Sequence, residues 1–180
     1  MSDSTKKKVP AEDFFRLVKA ELKNNGKVRF TVTGTSMLPW IGDGRDQVLL
    51  AFTDGKGLKA GDIILFQDRC GKWLLHRIYR KEAGGYRTIG DASLVEDGMV
   101  YSGQIAGVVE KIYRKGKEIH CGSRIWRFIF FIWRKLFFLR KFLMRIYVKA
   151  AKFRTGRRAY GAYKKDNQKN KRRHASGDVQ

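Results

Sequence analysis

Three short stretches carry the residue types that hydrolytic chemistry uses. Thr33-Gly34-Thr35-Ser36-Met37-Leu38-Pro39 puts a serine in a turn that directly follows a strand pattern. Leu74-Leu75-His76-Arg77-Ile78 puts a histidine in an apolar run. Gly90-Asp91-Ala92-Ser93-Leu94-Val95-Glu96-Asp97 puts two aspartates in a turn. Each alone has an ordinary explanation. Turns favour serine and aspartate because their side chains bond the local backbone, and a lone histidine in a strand is commonly a hydrogen-bonded core residue. Together they are the parts of a nucleophile, base and orienting acid. A hydroxyl is too weakly acidic to attack an amide unaided. His76 would take the Ser36 proton and return it to the leaving amine, while an aspartate, Asp91 or Asp97, fixes the tautomer and stabilises the imidazolium.

The surrounding pattern must bring these stretches together. Pro10 to Asn25 reads as a helix: Pro10 suits a first turn, Glu12 and Asp13 favour its positive end, and Phe14, Val18 and Leu22 fall on one face. Asn24-Asn25-Gly26 ends it. The period then changes to two. Val28, Phe30 and Val32 alternate with Arg29 and Thr31, and strand-like runs follow at 47–52, 62–67, 73–80, 86–89 and 104–113. Turns such as Asp54-Gly55, Gly71, Gly84-Gly85 and Lys115-Gly116 separate them. Short strands with no intervening helices predict a mostly β, antiparallel body.

Beyond Ser123 the pattern is helical again to about Phe153. Arg127, Arg134, Lys135, Lys141, Arg145, Lys149 and Lys152 form one stripe roughly 120° wide, opposite a broad aromatic face that includes Trp126, Phe130, Phe131, Trp133, Phe137, Phe138 and Phe142. That composition suits a helix lying in a membrane interface. A helix covering an apolar patch of the body is the alternative. The expected divisions are an N-terminal helix at 1–26, a β domain at 27–122, a basic amphipathic helix at 123–154 and a disordered basic tail at 155–180.

Composition sets the outer limits. Among 180 residues, 43% are hydrophobic, enough to bury a core and to exclude full disorder. The two cysteines, Cys70 and Cys121, are far apart and form no CxxC, which excludes a disulfide scaffold and a zinc finger. Net charge is +22, and it is uneven: residues 123–180 hold 18 Lys and Arg against 2 acids. Such a segment seeks phosphate on lipid or nucleic acid, and the broad apolar face favours lipid. No secretory signal and no 18-residue apolar run is visible. No metal or cofactor is expected.

Ser36-Met37-x-Pro39, the Gly61-Asp62-Ile63-Ile64-Leu65-Phe66 strand, His76-Arg77 and Gly90-Asp91 with Asp97, in that order, resemble type I signal peptidases. The similarity is to the archaeal and endoplasmic-reticulum branch, in which histidine replaces the lysine base of most bacterial enzymes. Ile105-Ala106-Gly107-Val108-Val109 resembles the closing strand of that family, so the likeness spans roughly Phe30 to Ile119. It implies a coiled antiparallel β fold and serine endopeptidase activity on a leader-bearing peptide or protein. It implies Ser36 as nucleophile and source of one oxyanion N–H, His76 as base, Asp97 as the triad acid and Asp91 as its support. Three features depart from the family: no N-terminal anchor is visible, Gly34 stands where a serine often precedes the nucleophile by two, and the basic-aromatic C-terminal helix is additional.

Other readings differ at identifiable residues. Repressor-cleaving, self-processing peptidases share the β fold but use lysine where His76 stands. A non-catalytic binder of anionic lipid or nucleic acid has no need of Ser36, His76 and Asp97 together. The expected location is the membrane periphery, on the cytoplasmic face because a basic helix without an export signal stays there, with the cytoplasm as the alternative.

Overall fold

The computed structural model describes residues 11–136 and, beyond them, Leu139, Phe142, Ile146, Tyr147 and Lys149. The expected tail at 155–180 lies outside the described residues. Helix α1 (Ala11–Asn25) precedes β1 (Lys27–Thr31), β2 (Asp46–Phe52), β3 (Ile63–Gln67), β4 (Trp73–Glu82), β5 (Gly85–Ile89), β6 (Met99–Val100), β7 (Ile105–Arg114) and β8 (Lys117–His120), and α2 (Arg124–Lys135) follows. The mostly β, antiparallel expectation therefore holds, with a helix at each end. The sheet order is β1-β2-β7-β3-β4-β5-β6, with β8 paired to β7.

Strand β3 explains how two cores form around one sheet. Side chains alternate across a strand, so Ile63 and Leu65 join one buried cluster while Ile64 and Phe66 join the other. This is why Ile63-Ile64-Leu65-Phe66 is apolar without a break. The larger core lies under α1, whose Val18 and Leu22 are buried against Val48, Leu50, Val109 and Ile112. The smaller one gathers Leu58, Ile78, Tyr86, Val100 and Ile105. His76 is the register partner of Ile64, so it belongs to the face of the smaller core, and Arg77, opposite Ile63, belongs to the other.

Helix α2 starts at Ser123, whose hydroxyl accepts the Trp126 N–H, an N-cap of the usual kind. Its inward face is aromatic: Trp126, Phe130 and Trp133 each meet Trp40 edge-to-face at centroid distances of 6.0, 5.8 and 5.6 Å. Arg127 reaches Asp62, and Arg134 donates to the Tyr79 carbonyl. Two members of the basic stripe thus bind the body, and the broad aromatic face read from the sequence is divided: part of it is core. Among the described residues no helix is long and apolar enough to cross a membrane.

Candidate active site

Ser36 lies in the loop between β1 and β2, which several contacts hold in shape. Gly34 opens it with φ +100°, a left-handed conformation that suits glycine, and gives its N–H to Asp43. Met37 and Ile41 bury their side chains in the larger core on either side of a cis Leu38–Pro39 peptide. At the base of the loop the fully buried Asp46 accepts from Arg45, from both donors of Arg114 at 3.0 Å, and from the Gly42 N–H at 2.7 Å. Arg114 also donates to the Trp40 carbonyl. Burial works to raise the Asp46 carboxyl, but the bonds from Arg45, Arg114 and Gly42 outweigh it and hold it below the ordinary carboxylate range.

His76 comes from β4 and is buried. Its Nδ1 lies 2.6 Å from Asp97 Oδ2. The Thr88 hydroxyl, from β5, donates to the same carboxylate oxygen at 2.9 Å. With Nδ1–H donating to Asp97, the Nε2 lone pair is left on the far side of the ring. There it meets the Ser36 loop across Gly90. A Cβ built on Gly90 would stand 2.8 Å from the Ser36 carbonyl oxygen, 3.2 Å from His76 Nε2 and 3.3 Å from Ser36 Cβ. Serine and imidazole therefore converge on the space that the missing side chain leaves. The Ala92 N–H donates to the Ser36 carbonyl at 2.8 Å and ties the two turns together. Neither the Ser36 hydroxyl nor its N–H has a partner among the described residues. No hydrogen bond joins Ser36 to His76 among the described residues.

Asp91 does something else. It is fully buried and takes two of the three donor nitrogens of Arg77, Nε at 2.9 Å and Nη2 at 2.6 Å. Arg77 donates its remaining arm to the Gly61 carbonyl at 2.8 Å and lies 3.7 Å above the Phe130 ring. The Trp133 indole N–H donates to the Asp91 carbonyl at 3.3 Å. Asp91 and Arg77 thus link the turn after β5 to α2, and Asp97 alone of the two acids contacts His76.

Ser36, His76 and Asp97 are brought to one place, and Asp91 sits beside them on Arg77. Four contributors have no role in the sequence reading. Thr88 donates to Asp97, Gly90 supplies space, Arg77 pairs with Asp91, and Asp46 anchors the Ser36 loop. Arg77 left a signal, since an arginine inside an apolar strand requires a buried acid. Asp46 left none, because it reads as the polar end of a turn. Of the cysteines, Cys70 is exposed and Cys121 is free and half-buried, its thiol pushed up to about 11 by burial. Comparison of the chain with sequence models of protein families, with curated proteins and with solved structures gives no match.

Proposed function

We propose that the protein is a serine endopeptidase of the type I signal peptidase kind, which cuts a leader or signal peptide from a protein or peptide substrate, and that its antiparallel body is that family's coiled β fold. The observation that carries this reading is the gathering of Asp97, His76 and Ser36: a carboxylate 2.6 Å from Nδ1 of a buried imidazole, whose other nitrogen and the serine Cβ both border the space beside Gly90. The order of Ser36-Met37-x-Pro39, His76-Arg77 and Gly90-Asp91 along the chain supports it independently.

In the proposed reaction, Ser36 Oγ attacks the carbonyl carbon of the scissile amide, and its proton passes to His76 Nε2. Charge develops on the former carbonyl oxygen, where the Ser36 N–H can donate to it. Asp97 stabilises the imidazolium, and Thr88 holds Asp97. The carbon–nitrogen bond breaks as His76 gives its proton to the leaving amine. Water, deprotonated by the same nitrogen, then attacks the acyl ester and releases Ser36. Glycine at 90 leaves room for the proton to cross between the two side chains.

The test is mass spectrometry of peptide termini after incubating the full chain with a library of leader-bearing peptides. The wild type should produce new termini after small residues, and Ser36→Ala should produce none. New termini from Ser36→Ala at the wild-type rate would refute the assignment.

A further inference from the structure

Helix α2 is apolar on two opposite sides, and only one of them is covered. Phe130 and Trp133 are buried against the body. Ile125 and Phe128 are 72% and 64% exposed, and Phe131 and Ile132 are exposed beside them. The spacing 125, 128, 132 is one face of α2, which ends at Lys135. Leu139, Phe142 and Ile146 are exposed as well. Isolated apolar residues on a surface are ordinary, but a row of them on one face marks an interaction site.

Charge selects the occupant. The chain contains no acid between Glu118 and Asp166, and from residue 123 onward it holds 18 Lys and Arg against 2 acids. Cations stand at the two ends of the apolar row: Arg124 and Lys135, the first and last residues of α2, are exposed, Lys135 Nζ lies 5.7 Å from the Phe131 ring, and Lys149 is exposed further on. A second copy would bring the same positive charge against it, and nucleic acid would leave the phenylalanines and isoleucines in water. An anionic bilayer takes both parts, with acyl chains meeting the apolar row and headgroup phosphates meeting the flanking cations.

We propose that the outward face of α2, through Ile125, Phe128, Phe131 and Ile132, together with the exposed Leu139, Phe142 and Ile146 beyond its end, docks on an anionic lipid bilayer. This face is only part of the apolar face the sequence suggests, Phe131 and Phe142 belonging to both. Arg127 and Arg134, members of the basic stripe, are drawn to the body, and Phe130 and Trp133, members of the aromatic face, are used for packing. The docking face turns away from Phe130 and Trp133, so lipid can be bound without undoing the contacts with Trp40, Arg77 and Asp91. The inference does not depend on peptidase activity.

The test is co-sedimentation of the full chain with vesicles of phosphatidylcholine alone and of phosphatidylcholine with phosphatidylglycerol, with light scattering of the free protein. Binding should need the anionic lipid, weaken in high salt without vanishing, and resist competition by soluble glycerophosphate. Phe128→Glu with Ile132→Glu should weaken it by about tenfold or more while leaving the thermal unfolding midpoint in place. Wild-type affinity in that double variant would overturn the proposal. So would a dimer that the same substitutions dissociate, which would make the face an interface between copies. Binding to duplex DNA that is steep in salt and indifferent to both substitutions, with no binding to vesicles, would overturn it too.

Discussion

Two aspartates six residues apart do different work, and substitutions separate them. Asp97 bonds the His76 imidazole from a partly exposed position, so Asp97→Asn should keep the fold but favour the wrong tautomer. A loss of about 10³–10⁴ in kcat with a nearly unchanged unfolding midpoint is expected, by comparison with what this exchange does to other serine triads. Asp91 and Arg77 form a buried pair, 0% and 2% exposed. Removing one partner strands the other's charge, so Asp91→Ala should cost about 3–5 kcal/mol in urea unfolding. The opposite pattern, with stability lost at Asp97 and activity alone lost at Asp91, would reverse the roles. Gly90→Ala tests the shared space. Its methyl would lie 2.8 Å from a backbone oxygen and 3.2 Å from His76 Nε2, so cleavage should fall sharply, whereas Gly103→Ala, with nothing within 4 Å, should have no effect on it.

At the scale of elements, the loop between β1 and β2 and helix α2 decide whether the site is assembled. Asp46 closes the loop with a carboxyl held below its ordinary range. A carboxyl depressed in the folded state contributes stability that is present above the unfolded-chain value of about 3.9 and is lost as pH falls towards the folded value. Asp46→Asn should therefore lower stability at neutral pH and flatten the decline in acid, as measured by urea midpoints between pH 7 and pH 3. Helix α2 braces the loop through Trp40 and the acidic turn through Arg77 and Asp91. Phe130→Ala, which empties a buried aromatic site, should cost about 3–5 kcal/mol, and the exposed Phe128→Ala about 0.5 or less. Equal costs would mean that α2 is not seated as described.

Across the whole molecule, legibility followed the range of the interaction. Local patterns were readable: α1 from its caps and apolar face, β1 from alternation, β3 and β4 from apolar runs bounded by glycine. The two-residue β6 is too short to show a period, and β8 was missed because Lys117–His120 alternates only weakly beside a turn that was recognised. Ser36, His76 and the two aspartates were visible by type and order. Which aspartate faces the histidine is not legible from residue type and order, and only the family resemblance implies Asp97, because it depends on β5 pairing with β4, which sets Thr88 opposite Ile78 on the face of His76. The inward face of α2 escaped for a related reason. A helical period shows that a face is apolar, but not whether protein or lipid will cover it.

The proposed reaction makes Ser36 and His76 one catalytic unit, and a double-mutant cycle on peptide cleavage tests that most directly. Groups that act on the same proton lose everything once, so their effects do not add. Ser36→Ala and His76→Ala should each abolish cleavage of a leader-bearing peptide, and the double variant should be no slower than either. Single variants that retain partial activity, with losses that multiply in the double variant, would contradict the account.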